Sequence, residues 1–528
     1  MRGFFQKFIF LAVILILFLL IPAKAQHRYW VFLKDKKDVI FNPYKYFDKK
    51  AIERRLKQNI SLFDSSDFPL NENYIKRIEA LAFSVNCKLR WFNAVSVVAD
   101  NQQINLIGKL PFVREILVQN HSDFIPAATY DTLLDPDETD LLEKQIDRMQ
   151  GRLFGASGFN GKGIRIAIFD AGYSGLKENP VLKHLILNHQ IIASWDFAKK
   201  KDFVYSYNDH GTMVVSCIAG KIGNKLFGLA PGAEFLLART ETGRESSAEE
   251  EYWLQAMEWA DKNGADIINS SLAYTHERYY TFEMNGHTSM VSKAATMAAN
   301  KGMLVINAMG NDGNHDWKIV ATPADADSVL SVGAISPVTD YHASFSSFGP
   351  TSDYRLKPNV VAYGQIIASG ESKLEKVKGT SFAAPLVTGF AACAWQIMPY
   401  LSNMQLFKKI EESGHLYPYF DYAHGYGVPQ ASFFLKNDEI HETEATFSFI
   451  QQKDTLFIEV NEKFINRQFL QSNNYLYYHV ETSNNYLEDY WLIDVYSKRP
   501  AFIMLKDYQA GSIIRVHYKG FTNSFTIE

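Results

Sequence analysis

Gly161-Lys-Gly-Ile-Arg-Ile-Ala-Ile-Phe-Asp170 is built around a short, mostly apolar, β-branched run that ends on an aspartate. Such a run suits a strand buried on both faces, as in the middle of a parallel sheet, and it leaves Asp170 at the strand's carboxyl end. Similar runs follow helical segments further on. Residues 249–263 read as a helix before Ala265-Asp-Ile-Ile-Asn269, residues 289–300 as another before Met303-Leu-Val-Ile-Asn307, and Val329-Leu-Ser-Val-Gly333 adds a further strand. Helices alternating with apolar strands predict an α/β domain with a parallel sheet. Ligands of such sheets bind beyond the carboxyl ends of the strands, where Asp170, Asn269 to Ser271 and Asn307 to Asn311 fall.

At 528 residues the chain exceeds what one core usually fills, so further domains are expected around this one. Toward the amino end, Arg2 and Lys7 precede an apolar run from Phe8 to Ile21 and the small-x-small triplet Ala23-Lys24-Ala25. This is the pattern of a signal peptide over residues 1–25, and it predicts export to an extracellular, periplasmic or cell-surface location. No later stretch is long and apolar enough for a membrane helix, so no stable membrane span is expected once the signal is cut. Residues 26–125 read as a small α+β domain. Its strands are Tyr29 to Leu33, Cys87 to Ala99 (a long strand or hairpin) and Val113 to Val118, and its helices are 48–59, 71–83 and 102–109. Residues 126–144 are polar and acidic, a linker suited to a maturation cut. The α/β domain then occupies 145–435. Beyond it, residues 436–528 hold strand-like runs separated by polar turns, a β-sandwich-like accessory domain.

Charge and cysteine content narrow the function. With 54 Lys+Arg against 58 Asp+Glu the formal charge is -4, which excludes a basic nucleic-acid binder. Three scattered cysteines, Cys87, Cys217 and Cys393, are too few for a disulfide framework or a thiolate metal site. Near the end of the α/β region, Gly379-Thr-Ser-Phe-Ala-Ala-Pro385 opens a small, apolar stretch that suits a buried helix entered at Gly379-Thr380. Pro385 is read as lying in the opening turn, where a missing N–H costs little. Unpaired N–H groups and the positive end of the helix dipole would then surround the Ser381 hydroxyl. Asp209-His-Gly-Thr-Met213 opens a second apolar, small-residue segment. Asp170, His210 and Ser381 thus follow one another in one of the chain orders in which an orienting acid, a base and a nucleophile are known to combine.

These segments resemble those of the subtilisin-like serine peptidases, the subtilases. The resemblance rests on Ile166-Ala-Ile-Phe-Asp-Ala-Gly172, Asp209-His-Gly-Thr-Met-Val214 and Gly379-Thr-Ser-Phe-Ala-Ala-Pro385. Val305-Ile-Asn-Ala-Met-Gly-Asn311 and Lys357-Pro-Asn-Val-Val-Ala-Tyr-Gly364 extend it, so that it covers roughly Gln145 to Leu435. It implies an exported serine endopeptidase acting on protein or peptide substrates through an acyl-enzyme. Ser381 would be the nucleophile, His210 the base, Asp170 its orienter and Asn311 the oxyanion donor. It also implies that substrate lies extended beside Ser271, Leu272 and Ala273, with Ala308, Met309 and Gly310 lining the pocket for the residue before the cut.

Departures from the family pattern bear on specificity. Ala273 stands where glycine is usual, Tyr274 follows it, and Met309 is bulkier than the usual small residue, so a narrowed cleft is expected. Cys217, seven residues after His210, shares its helix face if that segment is helical. Catalysis of this type needs no cofactor. Calcium is a familiar structural ion of the family, but Lys221 to Gly228 offers Asn224 and no carboxylate, so no ligand is assigned. By the same resemblance, residues 26–125 look like a propeptide, a folding aid and inhibitor that makes the chain's own prosegment its first partner. A rival reading keeps the fold and drops the chemistry: a pseudopeptidase that uses the cleft and C-terminal domain only for binding.

Overall fold

The computed structural model describes residues 26–119, 138–223, 225–242, 247–275, 278–371, 373–435, 444–465, 474–482, 486–495 and 501–528. The signal peptide and the stretch 126–137 of the acidic linker lie outside these. The chain divides into two compact units. One comprises the residues up to Phe41 and Phe63–Asn120, the other Asn42–Leu62 and everything from His121 onward.

The smaller unit is an antiparallel four-stranded sheet with two helices. His27–Leu33 lies between Ala94–Ala99 and Val113–Val118, and the hairpin partner Ser84–Leu89 takes the outer edge. Its helices start where the sequence supplies a cap. Asn71 accepts from Asn73 and Tyr74 at the head of Glu72–Glu79, and Asp100 forms a capping box with Gln103 at the head of Asn101–Gly108. Val31, Leu33, Ile75, Ile78, Val95, Val97 and Ile107 make one core. The α+β expectation holds, but Asn42–Leu62, read as part of the same domain, packs with the larger unit.

In the larger unit a seven-stranded parallel sheet carries the site. Its strands are β1 (Arg165–Asp170), β2 (Ile191–Asp196), β3 (Glu234–Arg239), β4 (Ile267–Ser270), β5 (Leu304–Ala308), β6 (Val329–Ile335) and β7 (Val360–Tyr363). The spatial order is β7-β6-β5-β4-β1-β3-β2, with every pairing parallel. Each strand therefore ends at the same edge. β1 is buried at all six positions, as the apolar run Ile166 to Phe169 at its centre requires. Ile166 and Ile168 point into the core made with helices α1 (His210–Ala219) and α4 (Thr380–Ile397). The alternate residue Phe169 meets Trp253 of helix α2 (Ser247–Lys262) edge-on at 5.8 Å, and α2 packs on helix α3 (Met290–Asn300). The sheet is thus covered on both faces.

Helix Glu138–Asp147 begins inside the stretch read as a linker. Leu142 and Ile146, one turn apart, are buried, and Gln145 accepts from the Ile367 N–H and donates to the Phe227 and Ile367 carbonyls. At the other end of the chain, Phe447–Gln452, Thr455–Val460 and Ala501–Met504 form one antiparallel sheet. Tyr475–Glu481, Leu487–Asp494, Ile513–Tyr518 and Phe521–Thr526 form a second. Leu456, Ile458 and Ile503 from the first share a core with Leu476, Val480, Ile514 and Val516 from the second, which makes a sandwich. Among the described residues no helix is long and apolar enough to cross a membrane.

The sandwich meets the α/β region through buried imidazoles. His479 stacks on Tyr419 at 5.0 Å and bonds the Phe420 carbonyl at 2.6 Å, and His517, bonded within the sandwich to Thr522 at 2.8 Å, faces the Tyr419 ring at 6.4 Å. Asp421, Glu481 and Arg515 are the charges nearby. Burial holds both histidines down to about 4. Above pH 6.5 neither folded nor unfolded chain protonates them. Below it the unfolded chain takes up protons that the native one refuses, until about pH 4. Stability should therefore fall as pH drops from 6.5 to 4, by on the order of 3 kcal/mol per histidine. Thermal unfolding followed across that range should show a shallower loss in His479→Gln than in the parent.

Candidate active site

β1 delivers Asp170 fully buried to the carboxyl edge of the sheet, where its Oδ1 accepts from the next N–H, that of Ala171, at 2.7 Å. The chain then turns through Gly172 at φ +154°. A Cβ there would lie 2.6 Å from the Ser206 carbonyl and 2.7 Å from that of Asn208, so only glycine lets the turn lie against the segment leading to His210. His210 is the first residue of α1, and its N–H is held by Asn208 Oδ1 at 2.7 Å. Its Nδ1 stands 2.9 Å from Asp170 Oδ1 and 3.0 Å from Oδ2. A carboxylate in that place fixes the tautomer with the proton on Nδ1 and leaves Nε2 free to accept. Burial pushes the imidazole's pKa down, but the charge and hydrogen bond of Asp170, helped by Asp209, outweigh it, and the net shift is upward from 6.5.

Ser381 is the second residue of α4, so its N–H is among those with no acceptor inside the helix. Gly379, at φ +148°, makes the turn into the helix. A Cβ on Gly379 would lie 2.8 Å from Ser381 Oγ and 3.6 Å from Asn311 Nδ2, which means the missing side chain keeps a cradle open between hydroxyl and amide. Asn311 Oδ1 accepts from the Thr380 N–H at 2.8 Å and from the Thr380 hydroxyl at 2.9 Å. That pairing turns the Nδ2 donor of Asn311 toward the cradle. The Phe382 ring stands 5.1 Å from the His210 ring and closes the same corner. Among the described residues no hydrogen bond joins Ser381 Oγ to His210. In sites of this kind such bonds are commonly long without substrate.

Pro385 is not in the opening turn. It is the sixth residue of α4, where a proline lacks the N–H that would reach the carbonyl four residues back. That carbonyl belongs to Ser381, and the hydroxyl of Ser271 donates to it at 3.2 Å. Ser271 is itself held by Asn269 Nδ2 at 3.3 Å, and Asn269 Oδ1 accepts from Thr388 Oγ1 at 2.8 Å. A chain of side chains thus ties the end of β4 to the first turns of α4. The Ser271 hydroxyl fixes Ser381, a role its place among the substrate-binding candidates did not suggest. The bonds from Thr380 to Asn311 and this use of Ser271 went unseen in the sequence; for the latter, a proline four residues after the serine was the available signal.

The remaining candidates distribute differently from expectation. Leu272 is buried, its carbonyl accepting from Asn307 at 2.8 Å, and Ala273 is half-buried beside it. Tyr274 does not project into a cleft. Its backbone bridges Thr322 and its ring is buried beneath the Arg278 guanidinium, 4.6 Å away. Met309, flanked by buried Ala308 and Gly310, is fully buried with Met284, Trp317, Val320 and Ala324. Its bulk is therefore spent in packing rather than in lining a pocket. Cys217 is buried in α1 with its thiol pushed up to about 12 by burial, an inert filler. Among the described residues no group of three or more His, Cys, Asp or Glu side chains is placed to hold a metal ion. The hairpin of Lys221–Ile222 and Lys225–Leu226, where a family calcium site would fall, brings two lysines and no carboxylate, a donor set that does not fit calcium.

Comparisons with known proteins bear on the family of the region that carries these residues. Residues 161–427 match the subtilase family, Peptidase S8, and residues 28–129 match a Peptidase S8 propeptide domain of Bacteroidota type. The major intracellular serine protease of Bacillus subtilis (strain 168) is 29% identical over 273 residues, covering 51% of this chain and 78% of its own length. Alkaline elastase YaB of Bacillus sp. (strain YaB) is 28% identical over 315 residues, covering 55% and 75%. Subtilisin Savinase of Lederbergia lenta is 31% identical over 265 residues, covering 49% and 87%. The family match spans just over half of the 528 residues, and the chain belongs to the subtilase family, with an S8 propeptide domain ahead of its subtilase region.

Proposed function

We propose that this chain is an exported serine endopeptidase made as a preproenzyme. The observation that carries the reading is the Asp170 carboxylate on His210 Nδ1 beside the open cradle of Ser381, Gly379 and Asn311. Ser381 Oγ attacks the scissile carbonyl and gives its proton to His210 Nε2, while Asp170 holds the imidazolium that forms. The oxyanion is met by the Ser381 N–H and Asn311 Nδ2. His210 then delivers the proton to the leaving amine, and water repeats the sequence on the acyl-enzyme. Substrate lies extended beside Ser271 to Ala273, and the residue before the cut is selected by a pocket at Ala308 and Gly310, with buried Met309 packed behind it. No cofactor enters the chemistry. Export is supported by the amino-terminal signal pattern and by the propeptide; sequencing the amino terminus of the secreted form tests it.

The central test uses the purified chain and its Ser381→Ala variant with casein and a fluorophosphonate probe. The parent should hydrolyse and be labelled, and the variant should lose roughly six orders of magnitude in kcat. A parent that takes no label has no activated serine, which is the pseudopeptidase outcome. Labelling that survives in the variant would place the nucleophile elsewhere.

Because His210 must be neutral to accept a proton and its pKa is raised, kcat/KM should fall on the acid side with a midpoint above 6.5. Asp170→Asn removes the charge but not the burial, so the residual activity, about 10⁴-fold lower, should titrate below 6.5. Asn311→Ala should lower kcat by about 10²–10³-fold with little change in KM, as loss of an oxyanion donor does in subtilisin.

A further inference from the structure

Helix Lys49–Lys57 belongs to the stretch matched by the propeptide domain, yet it packs within the larger unit. Asp48 caps it, and it carries Lys49, Lys50, Arg54, Arg55 and Lys57. Two of these are buried like core residues, Arg54 at 4% and Arg55 at 0% exposure. Each donates to one oxygen of Asp261, itself 1% exposed: Arg54 Nη2 to Oδ1 and Arg55 Nη2 to Oδ2, the latter at 2.6 Å. Arg54 also donates to the carbonyls of Ala265 and Lys301, and Gln58 to that of Gly302 at 2.9 Å. The Asp48 N–H bonds the Lys262 carbonyl at 2.8 Å, and Lys50 pairs with Asp266 at 3.0 Å.

These acceptors share one origin. Asp261 and Lys262 close α2, Ala265 and Asp266 follow it, and Lys301 and Gly302 follow α3. The basic helix therefore meets the carbonyl ends of two helices, where the backbone has unsatisfied acceptors and the dipoles are negative. It sits where β1, β4 and β5 begin, since Ala265 and Asp266 lead into β4, Met303 into β5, and Asp48 pairs with Arg165 of β1 at 3.0 Å. Asp170 is at the other end of β1, about 17 Å away at the rise of a six-residue strand.

We propose that Asp261 and the carbonyl ends of α2 and α3 form an exosite for a dibasic helix. Through it, residues 42–62 keep the prosegment bound after the chain is cut between the propeptide and subtilase regions. The proposal rests on the proenzyme reading, but the recognition is independent of the triad. The ligand the site takes is a helical turn with adjacent arginines and a lysine one turn earlier, as Lys50, Arg54 and Arg55 are arranged.

The test separates retention from catalysis. In full-length Ser381→Ala, an external protease's recognition sequence is placed within residues 126–137 and cut to completion, so the outcome does not depend on self-cleavage. On gel filtration at low micromolar concentration the prosegment should co-elute with the rest of the chain. Arg54→Ala/Arg55→Ala should weaken retention about 100-fold or more, because it leaves Asp261 buried and unpaired, and the prosegment should elute alone. Arg54→Lys/Arg55→Lys, which keeps the charge and loses the fork, should fall between. If the alanine pair does not fold, hydrogen exchange on the cut parent decides: amides of 49–57 that stay protected uphold the exosite. Exchange there at the rate of an unfolded peptide, immediate separation of the parent, or equal retention in the alanine pair would each overturn it. Whether the parent cuts itself is scored separately, with Ser381 restored.

Discussion

A helix without a polar face has to be buried on every side, and α4 is such a helix: from Thr380 through Trp395 every residue is buried. The sheet takes one side, α1 another, and helices Asn403–Glu412 and Ser432–Leu435 complete the enclosure. α1 has the same character, buried from Gly211 through Ala219. Two apolar helices packed on each other against one sheet leave little freedom in where their first residues lie. His210 opens one and Ser381 the second position of the other, both at the edge where β1 delivers Asp170. Asp170, His210 and Ser381 are thus held by the dense part of the molecule, while loops supply the turns Gly172 and Gly379 and the amide of Asn311 beyond β5.

Pro385 shows how closely packing and chemistry are joined. Its missing N–H leaves the Ser381 carbonyl without its helical partner, and a buried carbonyl left unmade costs about 1–3 kcal/mol. Ser271 supplies the bond. The same contact that satisfies the helix stops the residue bearing the hydroxyl from moving independently of the strand β4. Asn311 works in the same way on the other side: the oxygen that satisfies Thr380 directs the amide nitrogen to the cradle.

Much of this was legible in the residues. The apolar runs of β1, β4, β5 and β6 and the four candidate side chains could be placed because burial on both faces and helix starts leave local signals. β2 was not, since as an edge strand it is at least part-exposed at every position but its last, and neither was β3, whose Glu-Phe-Leu-Leu-Ala-Arg suits a helix equally. The direction of Tyr274 and Met309 was misjudged for a related reason. Whether a side chain after a strand faces a cleft or the interior is settled by what packs behind it, here Arg278 for one and Trp317 with Met284 for the other, residues with no local signature at those positions. Residues 48–59 read as an ordinary amphipathic helix; only tertiary contact reveals that Arg54 and Arg55 are buried.

Two of the buried charge clusters answer different needs. At Asp170 and His210 the buried carboxylate is met by a short network inside the fold, the Ala171 N–H and the imidazole Nδ1. At Asp261 two guanidinium groups share one carboxylate, and helix-end carbonyls take further donors of Arg54. Desolvating such a group costs several kcal/mol per ion, and an apolar contact of equal size would bind at least as well. What the polar version provides is a surface that tolerates both states. An apolar patch uncovered when a prosegment leaves would be an exposed hydrophobic face, prone to association. A carboxylate and a row of carbonyls hydrate readily once the arginines are gone. A surface that must be core in the proenzyme and solvent-facing in the mature protein is better built from charge than from leucine.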